Sequence, residues 1–201
     1  MIAIMKQYAS SERTKKAIAE SLKALMQTKD LNHITIREII EGCGINRKTF
    51  YYHFRDIYDL VEWMFNREAL DFLRQCNTLS TYEEAIRFTF RYIQENPHIC
   101  SCAVDSLGTS YLKRFFYKDL HDIILDVVRD IASGMKVPED YLLFITDFYL
   151  HALISVLLDW VRRGMDSQDS ERVLHYIELT VQGNVRASLL RAAEEAVLQR
   201  I

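Results

Sequence analysis

The sequence predicts an all-α protein of about nine helices: an N-terminal three-helix head followed by a C-terminal helical body. Two observations carry this expectation. Only 6 Gly and 2 Pro interrupt 201 residues, and apolar residues recur at three- and four-residue steps along most of the chain. A hydrophobic content of 49% is enough to bury a core at this length.

The first helix is expected from Ser11 to Thr28, because Ile18, Leu22, Leu25 and Met26 share one face while Lys16, Glu20 and Lys23 occupy others. A polar loop, Lys29 to His33, follows. Thr35 and Glu38 then have the spacing of a capping box, with Ile34 and Ile39 at the positions of a hydrophobic staple, so a second helix begins at Thr35. Gly42 and Gly44 bracket its end, and Asn46 can cap another helix directly afterwards. Asp56 caps a longer helix with Ile57, Leu60, Val61, Met64 and Phe65 on one face, running to about Cys76. Further helices are expected near Thr81 to Glu95, Pro97 to Ser106, Ser110 to Ser133, Pro138 to Arg163 and Gln168 to Leu198. Asn96 and Pro97 read as N-cap and first helical residue, and Pro138 opens its helix in the same way. The expected division is a head over 1–55 and a body over 56–201, sharing packed surfaces.

The formal charge of −3 hides a split between these parts. Residues 1–55 carry ten Lys/Arg against five Asp/Glu, leaving fifteen against twenty-three for the remainder. A basic head on an acidic body suits a polyanion bound at one end only, since electrostatic attraction acts locally. The alternative reading of the split is ordinary surface charge scatter. The four cysteines, Cys43, Cys76, Cys100 and Cys102, form no CxxC pair, which fits reduced thiols in a cytoplasm. The opening Met1 to Met5 is too short for a signal-peptide core, and the apolar run Phe148 to Leu158 is too short to span a bilayer, so it is expected as a buried helix.

The turn between the second and third helices carries the functional signal. Ile39, Ile40, Cys43, Ile45 and Phe50 supply apolar contacts around it, while Gly44 permits a backbone geometry that a side chain resists. Arg47 and Lys48 fall in the first turn of the following helix, where the macrodipole disfavours cations. Such a breach of a local rule is expected where function outweighs local stability, and DNA resolves it by offering phosphates and base edges to that helix end. Arg47 and Lys48 suit guanine O6 and N7, with Tyr51 one turn further on the same face. Thr49, Tyr52, His53 and Arg55 suit phosphate oxygens. The alternative is a merely solvated helix, with Tyr51 and Phe54 packing.

The stretch from Ile36 to Leu60, IREIIEGCGINRKTFYYHFRDIYDL, resembles the DNA-binding signature of the tetracycline-repressor (TetR) family. This resemblance implies a three-helix head, a long connecting helix and a body whose last two helices form a dimeric four-helix bundle. It implies base contacts from Arg37, Arg47, Lys48 and Tyr51, with Thr35, Thr49, Tyr52 and His53 holding the backbone. Ile57 departs from the pattern, standing where members commonly carry a phosphate-binding lysine. The residues Asn46-Arg47, Thr49 to Phe54 and Asp56 to Leu60 are similar to a subgroup that includes regulators of dihydroxyacetone kinase. The implied function is a repressor that binds a palindromic operator as a homodimer, its DNA affinity set by an effector at the C-terminal domain. The alternative is an activator or co-regulator whose effector is a kinase-like protein partner.

In the body, the last two expected helices are apolar beyond one buried stripe. Val156 and Trp160 on the first, with Ile177, Val181, Val185 and Leu189 on the second, are the expected twofold interface, against the alternative of a monomer core. Tyr111, Phe115, His121, Tyr149 and His151 are the first places to look for an effector, although such stripes are more often core. His98, Cys100 and Cys102 do not complete a metal set, and no cofactor is expected. Without a GxSxG, HExxH, P-loop or GxGxxG pattern, the chain is not expected to be an enzyme.

Overall fold

The computed structural model describes residues 2–76, 81–181 and 183–198, with the side chains of 2–10, 167 and 168 excluded. The expectations for Met1 and Gln182 lie outside these residues. Among the described residues the protein is helical throughout, without strands.

The head comprises α1 (Ile2–Met26), α2 (Ile36–Cys43) and α3 (Arg47–His53), with a 3-10 turn at Leu31–His33. Helix α1 starts nine residues before the expected Ser11 and buries Ile18, Leu22 and Met26 as its periodicity requires. Asp56 caps α4 (Ile57–Phe65) by accepting the Asp59 N–H at 2.8 Å. The chain continues through a π turn, Asn66–Leu70, into a short last turn, α5 (Asp71–Leu73).

The body contains α6 (Tyr82–Glu95), α7 (Pro97–Leu107), α8 (Thr109–Ile131), α9 (Glu139–Arg162), α10 (Ser167–Val181) and α11 (Asn184–Leu198). Two terminal details differ from expectation. Asn96 does stand at the N-cap of α7 with Pro97 as its first residue, but its side chain donates to Tyr92 O at 2.9 Å and makes no cap bond. Pro138 occupies the extended cap position, so α9 begins one residue later. The single helix expected over 168–198 is divided, because Gly183 takes φ +77 and turns the chain between α10 and α11.

One apolar cluster runs from Ile18, Ile39 and Phe50 in the head through Leu60 and Met64 to Ala103 and Phe115, so head and body share packed surfaces. Helices α8 and α9 form the long antiparallel pair of the body, tied by Tyr117 Oη to Asp147 at 2.7 Å and Arg129 to Glu139 at 2.6 Å. Helix α9 is not the buried helix the sequence suggests. It is long and apolar enough to cross a membrane by length and composition, and 33% of its most apolar window is buried. Leu150, Ile154 and Leu158 face inward, while Phe144 and Phe148 remain exposed.

Candidate nucleic-acid interface and the regulatory body

The helix-turn-helix is fixed by backbone capping. Thr35 Oγ1 accepts the Glu38 N–H at 3.3 Å, and the Glu38 carboxylate accepts the Thr35 N–H at 2.9 Å, completing the capping box. Lys29, and then the Thr35 donors, hold the Glu38 carboxyl down at about 2. Helix α2 ends where Gly44 adopts φ +67, a left-handed conformation costly for a side chain. Asn46 Oδ1 then accepts the Thr49 N–H at 2.8 Å and its hydroxyl at 3.1 Å, starting α3 immediately. Gly42 has a separate role: a Cβ there would lie 2.3 Å from Ser21 Oγ, which donates to Ile39 O at 2.8 Å and ties α1 to α2.

With both ends fixed, α3 has two unlike faces. Phe50 and Phe54 are buried against the head, while Arg47, Lys48, Tyr51 and Tyr52 are exposed. Arg47 Nη2 donates to Tyr51 Oη at 3.3 Å, its guanidinium 5.6 Å from the ring centre, so the two side chains stand as one pair. Lys48 has no ion-pair partner among the described residues, and no acidic residue balances the first turn of α3.

The remaining predicted contacts are more constrained. Arg37 Nε pairs with Glu41 at 2.7 Å, both exposed, so Arg37 exchanges this bond on meeting another acceptor. The Thr35 and Thr49 hydroxyls are committed to caps. His53 is half-buried, and burial, followed by the nearby Lys15, lowers its pKa from the ordinary 6.5. Arg55 reaches Asp59 at 3.6 Å while its backbone N–H donates to the same carboxylate at 2.9 Å. Ile57 packs at the edge of the apolar cluster. Lys15 of α1, close enough to His53 to depress it, pairs with Glu12 at 3.7 Å and lies over the Trp63 ring; its place on α1 gives no local sign of this proximity to α3.

In the body, a cavity of about 210 Å³ opens between α4 and the helices α6 to α11. Of the expected effector residues only Tyr149 lines it. Tyr111 instead donates to Glu62, joining α8 to α4, and Phe115 is absorbed into the head–body cluster. His121 lies 3.1 Å from Asp122 and 3.6 Å from Asp147, while His151 is exposed and stacks on Tyr117 with ring centres 5.0 Å apart. These four share helices with the cavity wall but point along other faces.

The expected dimer residues need a similar correction. Trp160 and Leu189 are fully buried within the chain, as very nearly are Ile177 and Val185, and Val181 is half-buried in the cavity wall. The apolar surface of Trp160, Ile177, Val185 and Leu189 is satisfied within the chain. Of the six, Val156 alone is exposed; Phe144 and Phe148 are exposed on the same helix, and Leu190 and Val197 on α11. No group of three His, Cys, Asp or Glu that could hold a metal occurs among the described residues. Cys102 Sγ accepts the Leu31 N–H at 3.1 Å and so stitches α7 to the head.

Residues 18–64 match the family described as bacterial regulatory proteins, tetR family, and residues 80–182 match the one described as transcriptional regulator C-terminal region. A curated relative, the HTH-type dhaKLM operon transcriptional activator DhaS of Lactococcus lactis subsp. lactis, is 28% identical over 83 residues, or 41% of this chain and 44% of the relative. The match thus spans less than half the length of that relative. Among solved structures, the dihydroxyacetone kinase operon activator DhaS superposes with a TM-score of 0.66 at 20% identity, covering 84% of this chain and 96% of the other. A TetR transcriptional regulator from Streptococcus agalactiae 2603V gives 0.56 at 23% identity, covering 87% and 98%.

Proposed function

Because the chain belongs to the TetR family of bacterial regulatory proteins, and so is a transcriptional regulator and not an enzyme, we propose that it acts in the cytoplasm as a homodimer on a palindromic operator. One α3 enters the major groove at each half-site. The observation that carries this reading is the two-faced α3: Phe50 locks one side into the head, and Arg47, Lys48 and Tyr51 are exposed together on the other. Arg47, held along Tyr51, supplies the planar fork that pairs with guanine O6 and N7. Lys48 supplies charge to the backbone. The backbone N–H groups at the starts of α2 and α3 serve phosphates better than the Thr35 and Thr49 hydroxyls, which are already bonded.

A twofold dimer sets two such heads about 34 Å apart, one turn of duplex. The interface is assigned to the exposed apolar side of α9, at Phe144, Phe148 and Val156, continued by Leu190 and Val197 of α11. An effector at the body sets the affinity, and the cavity favours a small molecule over a kinase-like protein partner. For the direction of control, the resemblance to the tetracycline-repressor signature favours repression. A relative named a transcriptional activator favours activation as the second reading.

The test compares three variants on duplex DNA. Arg47→Ala changes base preference at one position of each half-site, a loss of about 1–3 kcal/mol for the preferred base. Lys48→Ala weakens all sequences and reduces the salt slope by about one. His53→Ala weakens binding to all sequences and reduces its salt dependence; a change of base preference in either Lys48→Ala or His53→Ala would contradict their assignment to the DNA backbone. A reporter behind the bound operator, with and without the protein, separates repression from activation.

A further inference from the structure

The cavity of the body is larger than an engineered apolar void of about 150 Å³ that stays dry and holds benzene, whereas protein interiors leave few gaps bigger than a water. Its wall is drawn from α4 (Phe65, Leu70), α6 (Thr89, Tyr92) and α9 (Leu153, Tyr149), among others, and includes no Lys, Arg, His, Asp or Glu. The titratable groups in it are neutral. Burial, and then Glu68, push the Cys100 thiol up to about 12 and the Tyr92 phenol above its ordinary value. Burial, and then Tyr141, raise Tyr149 as well. A charged ligand here would lose its hydration without a counter-charge, which excludes it. The Thr89 hydroxyl donates to Ala85 O at 2.9 Å and the Tyr92 hydroxyl to Glu68 at 3.1 Å, so both donors are already used.

A second, independent feature adjoins this wall. The π turn Asn66–Leu70 breaks α4 where Ala69 and Leu70 face the cavity, and such turns recur at functional sites. The turn also carries Glu68. Its carboxylate accepts from Lys23 of α1 at 3.1 and 3.2 Å, and from Tyr92 of α6 at 3.1 Å. One side chain therefore joins the cavity wall, the irregular turn and the long helix of the head.

We propose that this cavity binds an uncharged, predominantly apolar small molecule, and that the π turn passes its occupancy to the head through the Lys23–Glu68–Tyr92 contact. The inference rests on the reading of the chain as an effector-controlled regulator, but both of its parts are measured without DNA, so failure of operator binding would leave them separately decided.

The experiment titrates the full chain with the uncharged dye N-phenyl-1-naphthylamine and displaces it with 1-decanol, decanoate or glycerol. One saturable site per chain is expected, with 1-decanol displacing at least about tenfold better than either competitor. Leu153→Trp and Thr89→Phe fill the cavity from different walls, and each weakens the dye by about tenfold or more while circular dichroism stays helical. Binding that persists in either folded variant would put the dye on the exposed Phe144–Phe148 face and overturn the site, as would equal displacement by decanoate. For the coupling, 1-decanol changes amide exchange around Lys23 by about threefold or more in the unmodified chain. Glu68→Gln and Lys23→Met retain the dye and lose that change. An unchanged exchange pattern in the unmodified chain, or a change surviving in both variants, would overturn the coupling.

Discussion

The head and the body use apolar surface in opposite ways. In the head, Phe50, Ile39 and Leu22 leave no exposed surface, and the irregularities lie outside: unbalanced cations at the start of α3 and an exposed Arg47–Tyr51 pair. In the body the irregularities are apolar, a cavity within and bare phenylalanines on α9. A close-packed head suits a rigid reader whose side chains must be held in register with base pairs. A body with unfilled and uncovered apolar surface suits one that still has a ligand and a partner to take up.

The contrast breaks first, if it breaks, at the two cores. Phe50→Ala is expected to cost about 3–5 kcal/mol, read as a shift in the urea midpoint, since the head has no slack to absorb a void. Leu153→Phe, which adds volume to the cavity wall, is expected to cost less than about 1 kcal/mol; a loss of about 1–3 would mean the body is as tightly packed as the head. At the surface, Phe148→Glu is expected to convert the proposed dimer to monomers in sedimentation and to lower DNA affinity by about tenfold or more; an unchanged association state would contradict the proposed interface.

Smaller effects sharpen the picture of the head. Gly44→Ala loses about 1 kcal/mol, because the +67° φ must be kept for α3 to follow α2, and thermal unfolding reads it directly. Glu38 gives the smallest. Its folded pKa lies at about 2, below the ordinary 4.5, so its contribution is present above the ordinary value and is lost as pH falls towards 2. Amide exchange in the first turn of α2 should therefore quicken on acidification through that window, and the Glu38→Gln variant should not show the change.

The same division explains what the sequence reveals. The head is legible because its determinants are local. Thr35 and Glu38 are three residues apart, Asn46 and Thr49 likewise, and Gly44 marks its own conformation. The body's determinants are not local. Lys23 meets Glu68 across 45 residues and Tyr141 meets Ser188 across 47, with no spacing rule to announce either. A helix apolar on most sides, such as α9, does not reveal by periodicity which side faces inward, so Trp160 reads as interface and proves to be core. A cavity is a volume left by many helices together, and no single one of them encodes it. Gly183 is a local signal that periodicity hides, since a lone glycine within an apolar period is compatible with an unbroken helix.

Selection from random duplexes with the full chain at moderate salt tests the central claim most directly. Enrichment of a palindromic site, with half-sites one helical turn apart and one preferred base pair per half that changes in Arg47→Ala, is the expected result. Enrichment of no site with or without 1-decanol, or of a site indifferent to Arg47, would contradict the assignment of α3 as the reading helix.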